Sequence, residues 1–168
     1  TASMAVQASL TGHLVLSTLH TNDAPSAVSR LLDLGVPHYL IQSTLTGVVA
    51  QRLVRTLCPH CKMPAAVDEP AWRALTHGWN VELPTQAMGP QGCLECRNTG
   101  FLGRTGIYEM MRLTPRLRGL IEADTNVVRY AEAALAEGLR PLRLSAAAQV
   151  ARGITTIAEV MTVLPPLE

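Results

Sequence analysis

Apolar and polar residues alternate in short runs at the start of the chain, which predicts short helices and strands. Residues Thr1–Leu10 place Ala and Val at helical spacing, and Gly12 follows as a stop signal. The apolar run His13–His20 (HLVLSTLH) favours a buried strand because it contains Val, Leu and Thr. The polar cluster Thr21–Asp23 is typical of a helix cap. Beyond it, the pattern predicts helices at about residues 24–34 and 38–49 and a strand at 52–57.

The middle of the chain, residues 58–103, is broken by prolines and contains all four cysteines. Four of the prolines lie in the interior of this segment, Lys62–Gly92, where we therefore expect mainly loop. Residues Glu69–Thr76 are the exception, and their pattern predicts a short helix.

The last third of the chain begins with a strand pattern and continues with helical patterns. The run TGIYEMMRL, Thr105–Leu113, predicts the strand. Thr156 and Glu159 have the spacing of a capping box, which marks the start of the final helix. Pro165 and the proline after it close that helix. The tail is predicted to contain four helices, at about residues 114–123, 126–137, 145–152 and 156–163.

Composition indicates a chain that can build an apolar core and has little net charge. Of the 168 residues, 48% are apolar and 16% are charged, and the formal net charge is +1. These values exclude a disordered polyelectrolyte and a nucleic-acid binder held mainly by phosphate neutralisation. The longest charge-free stretch, Leu34–Gln51, is interrupted by Pro37, His38 and Gln42, so no membrane span is predicted. No basic segment followed by an apolar run opens the sequence, so we expect no signal peptide.

The cysteines form two C-x-x-C pairs, and this spacing predicts a structural zinc site. Cys58 and Cys61 form the first pair, and Cys93 and Cys96 form the second. Two residues between thiols let both sulfurs of a turn face one ion, and two such turns complete a tetrahedron. Four sulfur ligands leave no open position, which disfavours catalytic zinc. The alternatives are two disulfides or free core cysteines, and a reducing compartment disfavours the disulfides.

The two histidines of the HLVLSTLH run carry a weaker signal. On a strand, His13 and His20 would lie on opposite faces, so they cannot form a simple metal pair. His20 stands at the end of the predicted strand, where ligands bind in α/β sheets. A histidine that hydrogen-bonds a phosphate and an ordinary surface or capping histidine both remain open. The phosphate-binding loop G-x-x-x-x-G-K-[ST] does not occur in the sequence.

Three blocks carry a specific resemblance to a known family: TASMAVQASLTGHLVLSTLHTNDA, AQRLVRTLCPHCK and GCLECRNTGFLGRTGIYEMM. They resemble consecutive blocks of the secretion ATPases, the cytoplasmic hexameric motors of type II secretion and type IV pilus assembly. The order matches over essentially the whole chain, and the QRLVR block looks closer to the type II secretion branch. The resemblance implies an α/β fold with three parts. These are the C-terminal part of a RecA-like P-loop ATPase core (1–57), a tetracysteine zinc module (58–103), and a return strand with an all-helical C-terminal subdomain (104–168).

The resemblance also implies roles for individual residues. His20 matches the family's histidine box, which corresponds to Thr11–Asn22, and would act as a catalytic residue near the γ-phosphate of ATP. Four further residues match family blocks and would lie near the nucleotide: His13, Thr18, Gln51 and Arg52. The family's Walker A loop, Walker B segment and acidic box, which hold ATP and Mg²⁺, do not occur here. We therefore expect the C-terminal part of a longer motor subunit that is catalytically incompetent by itself.

The resemblance further implies partners and a location. The complete protein would form a hexamer with itself and contact inner-membrane secretion platform proteins. It would be cytoplasmic and peripheral at the inner membrane of a bacterium, without spanning the membrane and without binding nucleic acid. Two alternatives stay open: a type IV pilus assembly ATPase, and a free-standing zinc-binding module that binds a protein partner. A zinc ribbon for nucleic acid is disfavoured by the near-neutral charge and the 4% aromatic content.

Overall fold

The computed structural model describes residues 2–165, which combine helices with short and long strands. Contacts divide the chain into two compact units, each assembled from two segments. The first unit contains the residues up to Ala50 together with Glu109–Arg140, and the second contains Gln51–Tyr108 together with the residues from Pro141 onward. The mixture of helix and strand agrees with the predicted α/β class. The three consecutive domains suggested by the sequence stay a prediction.

The described part of the chain contains eight helices and four strands. In chain order the elements are α1 Ala2–Leu10, α2 Ser26–Asp33, α3 His38–Thr44, β1 Gly47–Leu57, β2 Met63–Ala65, α4 Glu69–Leu75, β3 Ala87–Gly89, β4 Phe101–Arg112, α5 Pro115–Gly119, α6 Val127–Ala136, α7 Leu142–Ala151 and α8 Ile157–Met161. Among the residues described, no helix has the length and apolar character needed to cross a bilayer.

The strands β1 and β4 are the longest in the protein, and they pair with each other. The N–H of Leu113 donates to the carbonyl of Thr46 at 3.0 Å, and that of Cys58 donates to the carbonyl of Gly100 at 2.9 Å, so the strands run antiparallel. Both predicted strands are confirmed, but β1 begins earlier than expected. The expected helix over 38–49 is therefore wrong after Thr44, because pairing with β4 draws the following residues into the ladder.

Helix α3 is the centre of the first unit and contacts α1, α2 and α5. Its Ile41 is almost fully buried, as are Val28 of α2 and Leu117 of α5. The side-chain nitrogen of Gln42 donates to the carbonyl of Ile121 at 2.7 Å, which satisfies a backbone group beyond the end of α5. These contacts build the core of this unit from aliphatic residues, as the low aromatic content predicts.

The predicted buried strand over His13–His20 is wrong. This segment contains neither strand nor helix, and Leu16 is 88% exposed. A strand needs a neighbour that accepts and donates its backbone hydrogen bonds, and the strand pairs found among residues 2–165 do not involve it. The segment is therefore an exposed apolar run, which connects α1 to the loop before α2.

In the second unit, a short hairpin-like pair corrects the expectation of loop between the cysteine pairs. β2 pairs with β3 in an antiparallel register that sets Met63 opposite Gly89 and Ala65 opposite Ala87. The predicted helix in this interval is confirmed as α4, and the Asp68 carboxylate caps it by accepting from the N–H of Ala71 at 3.0 Å. Helix α4 contacts α7 and α8.

The tail contains the four predicted helices with shifted ends. α7 begins at Leu142, three residues early, because Pro141 directly precedes it and is compatible with a helix start. α5 ends at Gly119, earlier than expected. The Thr156 hydroxyl caps α8 by accepting from the N–H of Glu159 at 3.2 Å. Thr1 and Pro166 lie outside the described residues.

Candidate metal centre

The four cysteine sulfurs converge at one point of the second unit. Sγ of Cys58 lies 3.8 Å from Sγ of Cys93, and Sγ of Cys61 lies 3.8 Å from Sγ of Cys96. The sulfurs of Cys93 and Cys96 are also 3.8 Å apart. All four ligand atoms lie within 4.8 Å of one another, and no disulfide joins them. The predicted cluster is therefore present, and the disulfide alternative disagrees with the geometry.

Both cysteine pairs lie in tight turns. In the first turn, the N–H groups of Cys61 and Lys62 donate to the carbonyl of Cys58 at 3.3 and 2.9 Å. In the second, the N–H of Asn98 donates to the carbonyl of Cys93 at 2.8 Å. Arg97 and Asn98 adopt positive φ angles of 53° and 60°, which is uncommon for residues with a side chain. Such a turn brings both sulfurs of a pair to the same side of the backbone.

Backbone N–H groups donate to the sulfur atoms. The N–H of Gly92 donates to Sγ of Cys61 at 3.3 Å, and the N–H groups of Cys93 and Gly100 donate to Sγ of Cys96 at 3.2 Å each. Gly100 has φ +75°, and a Cβ at this position would lie 2.3 Å from Cβ of Pro90. Only glycine fits there, so the sequence allows the chain to approach the sulfur closely.

These surroundings affect the thiols of Cys61 and Cys96 differently. Burial raises the pKa of Cys61 to about 11. Burial acts in the same direction on Cys96, but hydrogen bonds from the N–H groups of Cys93 and Gly100 and from the side chains of Cys93 and Cys61 together lower its pKa to about 6. The thiolate is the form that ligates a metal, and the N–H groups that donate to Sγ of Cys96 favour this form.

The sulfur cluster has the size of a tetrahedral metal site. Four thiolates about 2.3 Å from a tetrahedral Zn²⁺ ion are about 3.8 Å apart, which matches the observed separations. Four cysteines could therefore hold one metal ion, and thiolate ligands select zinc or iron–sulfur chemistry over magnesium or calcium. His60 is exposed on the first turn and is not part of the cluster.

Lys62 and Arg55 lie near the cysteines in sequence, but their side chains bind other residues of the second unit. Nζ of Lys62 donates to the carbonyl of Gly153 at 2.9 Å. The Arg55 guanidinium pairs with Glu159. The donors that contact the sulfurs are N–H groups of the backbone, which sequence spacing did not identify.

Of the five residues expected near a nucleotide, four are exposed and Arg52 is half-buried. His13 follows α1, where its Nδ1 lies 3.1 Å from Oγ1 of Thr11 and 3.2 Å from the carbonyl of Ala8. Thr18 and His20 are exposed in the segment that lacks secondary structure. Gln51 and Arg52 follow one another on β1, and Nη1 of Arg52 donates to the carbonyl of Gln51 at 2.9 Å. Their nucleotide roles stay predictions.

Sequence reasoning missed one buried carboxylate, Glu109 on β4. Its side chain is on the buried face of that strand, and it accepts a hydrogen bond from the N–H of Ala24 at 2.7 Å. The run TGIYEMMRL could have indicated this burial. Alternate residues of a strand lie on one face, so Glu109 shares a face with the apolar residues Ile107 and Met111.

Comparisons with known proteins agree with the resemblance. A type IV pilus assembly ATPase, TfpB of Acinetobacter baylyi, is 50% identical over 98% of this chain and 28% of its own length. The type II secretion system protein HxcR of Pseudomonas aeruginosa is 44% identical over 97% of the chain and 31% of its own length. The type II secretion system ATPase E of Vibrio cholerae is 45% identical over 97% of the chain and 32% of its own length.

The chain thus spans about 30% of the length of these curated relatives. Relatives of both branches match it with similar coverage. The family model described as "Type II/IV secretion system protein" matches residues 1–162, which is nearly the whole chain. The chain therefore belongs to the type II/IV secretion system protein family.

Proposed function

We propose that the four cysteines bind one structural Zn²⁺ ion in the second unit. The supporting observation is the set of 3.8 Å sulfur separations, which fit a tetrahedral site with no open position. Zinc would supply a cross-link between the two cysteine turns. Cys58, Cys61, Cys93 and Cys96 are the ligands.

Metal analysis of the purified chain tests this assignment. We expect about one zinc per chain, and none in a Cys58→Ser, Cys93→Ser double variant. His60→Ala is the matched control, since this residue lies in the same turn as Cys58, and it should retain the metal. A chain that purifies without metal and does not bind added Zn²⁺ would exclude the site.

We further propose that the chain is the C-terminal part of a hexameric motor subunit that hydrolyses ATP to drive type II protein secretion. The match to named ATPases over nearly the entire chain supports this proposal most strongly. The RecA-like core, the three domains 1–57, 58–103 and 104–168, and the inner-membrane platform partners belong to the same proposal. The complete subunit would work in the cytoplasm at the inner membrane of a bacterium.

In this proposal His20 is the catalytic residue near the γ-phosphate, and four residues lie near the nucleotide: His13, Thr18, Gln51 and Arg52. The exposure of Thr18 and His20 leaves their side chains accessible to a nucleotide. Phosphoryl transfer depends mainly on positioning and on stabilisation of charge, and the groups that hold the phosphates and Mg²⁺ are not in this sequence. The 168-residue chain alone would therefore not hydrolyse ATP.

The experiment compares ATPase activity of the complete subunit, its His20→Ala variant and the 168-residue chain. We expect turnover by the complete subunit, a loss on the order of tenfold or more in His20→Ala, and none by the chain. His38→Ala is the control, since this histidine lies outside the histidine box. Turnover by the purified chain would contradict the proposal.

Type IV pilus assembly is the second candidate, and the 50% identity to TfpB favours it. Deletion of the complete gene in the source bacterium distinguishes a role in type II secretion from a role in pilus assembly. Loss of secreted enzymes with intact pili supports type II secretion, and loss of pili with intact secretion supports pilus assembly.

A further inference from the structure

Glu109 is a charged residue on the buried face of β4, where the neighbouring side chains are apolar. On β4 the residues two before and two after it, Ile107 and Met111, are 0% and 2% exposed, and Glu109 itself is 4% exposed. A buried carboxylate is costly unless hydrogen-bond donors satisfy it. Its presence on this face therefore calls for a specific contact.

That contact fixes the backbone just before helix α2. Oε1 of Glu109 accepts from the N–H of Ala24 at 2.7 Å, a short distance typical of a charge-assisted hydrogen bond. Ala24 is 0% exposed, and the next residue, Pro25, has no N–H to offer. A second carboxylate, that of Asp23, accepts from the N–H of Ser26 at 2.8 Å. Two carboxylates thus hold the start of α2.

The anchored residue lies four positions after His20. Between them the chain is ordered locally, since Oγ1 of Thr21 donates to the carbonyl of Asp23 at 3.1 Å. Before His20, the segment Gly12–Leu19 lacks secondary structure and is largely exposed. The position of the His20 backbone is therefore fixed from its C-terminal side, where the buried Ala24 is anchored.

We propose that Glu109 is a positioning residue for His20. It holds the backbone of Ala24 from strand β4, and through the short loop 21–23 it fixes where the His20 imidazole stands. The role rests on the proposed ATPase function, in which His20 acts near the γ-phosphate. Glu109 is 4% exposed and acts through the backbone of Ala24.

Two substitutions of similar size test the role in the complete motor subunit. Glu109→Met removes the acceptor for the Ala24 N–H, whereas Glu109→Gln keeps an oxygen acceptor in the same place. Because small displacements of a catalytic group cost much rate, we expect Glu109→Met to lower kcat roughly tenfold or more with KM for ATP nearly unchanged. Glu109→Gln should recover most of that loss. Glu159→Gln, at a buried carboxylate of the other unit, is the control and should leave kcat unchanged.

A double-mutant cycle shows whether the loss passes through His20. If Glu109 acts only by positioning this residue, adding Glu109→Met to His20→Ala should lower kcat no further, within about twofold. Fully additive losses would overturn the inference, as would an unchanged kcat in Glu109→Met. An inactive wild-type subunit would overturn the proposed function and this role with it.

Amide hydrogen exchange in the 168-residue chain reports the anchor without relying on ATP hydrolysis. The Ala24 N–H should be protected in the wild type and in Glu109→Gln, and it should exchange at least about tenfold faster in Glu109→Met. Equal protection in all three chains would show that Glu109 does not hold this loop, and it would overturn the inference even with an active wild-type subunit.

Discussion

Glu159 binds Arg55 through both carboxylate oxygens, although 104 positions separate the two residues. Oε1 accepts from the backbone N–H of Arg55 at 3.0 Å, and Oε2 accepts from its Nε and Nη2 at 3.0 and 2.6 Å. The guanidinium also lies over the ring of Phe101, 4.3 Å from its centroid. Within the second unit, these contacts join helix α8 to the strands β1 and β4.

This contact should make the stability of the chain depend on pH in the acid range. Hydrogen bonds from Arg55 lower the pKa of Glu159 below its ordinary value of 4.5, although burial opposes the shift. A carboxylate with a lowered folded-state pKa stabilises the fold above its unfolded pKa, and this contribution is lost as pH falls through the lower folded value. We expect Glu159→Gln to lower Tm by several degrees at pH 7, with the difference from wild type shrinking from about pH 5 to pH 3.

Thermal unfolding followed by circular dichroism at each pH measures this difference. Comparing the two chains at every pH cancels the loss of the proposed zinc ion that acid would cause in both. Glu137→Gln is the control, because Glu137 pairs at 3.5 Å with a largely exposed Arg116, and it should change Tm by no more than about one degree. A Tm difference independent of pH would contradict the role of the Glu159 charge.

The same glutamate illustrates what sequence pattern can and cannot predict. The Thr156–Glu159 spacing correctly placed the start of α8, because a cap depends on residues within one turn. In a complete capping box, the Glu159 side chain would accept a hydrogen bond from the backbone N–H of Thr156. It binds Arg55 instead, which is a tertiary contact that no local pattern contains.

Local geometry also explains why the cysteine cluster was predictable. Each C-x-x-C turn and its glycines determine the direction of the sulfurs within a few residues. The strand expected over His13–His20 failed for the opposite reason, since a strand depends on a partner elsewhere in the chain. The strand pattern places Glu109 on the buried face, but it cannot predict the contact with Ala24, which is 85 positions away.

Gly100→Ala should destabilise the chain and weaken its affinity for the proposed zinc ion. The new Cβ would meet Pro90 at 2.3 Å in a backbone with φ +75°, so strain and overpacking add to roughly 2–4 kcal/mol. The N–H of Gly100, which donates to Sγ of Cys96, would shift with the backbone. Urea unfolding and competition with a zinc chelator measure the two effects.

The control for Gly100→Ala is Gly78→Ala in the same unit. Gly78 has φ +81°, but nothing lies within 4 Å of the position of its missing Cβ. This variant should therefore lose only the strain of a left-handed residue, about 1–2 kcal/mol, and keep the metal. Equal losses in both variants would show that the approach to Pro90 is unimportant.

Chelation of the proposed zinc ion should loosen the two cysteine turns before the rest of the second unit. Backbone hydrogen bonds, and not the sulfurs, join β2 to β3 and β1 to β4, so we expect these ladders to persist while the turns open. Amide exchange with and without a chelator should rise first at residues 58–62 and 92–100. Simultaneous loss of protection across all four strands would contradict this order.

The exposed apolar run after α1 should cause the 168-residue chain to associate with itself. Leu14 and Leu16 are 82% and 88% exposed, and water-exposed apolar side chains in one short segment favour association. We expect the double variant Leu14→Ser, Leu16→Ser to shift the chain towards monomer in light scattering at the same concentration, with Tm unchanged because neither residue supports the core. Val128→Ser, a substitution of an exposed residue on α6, is the control and should leave the association intact. A double variant that associates as strongly as the wild type would place the contact elsewhere on the surface.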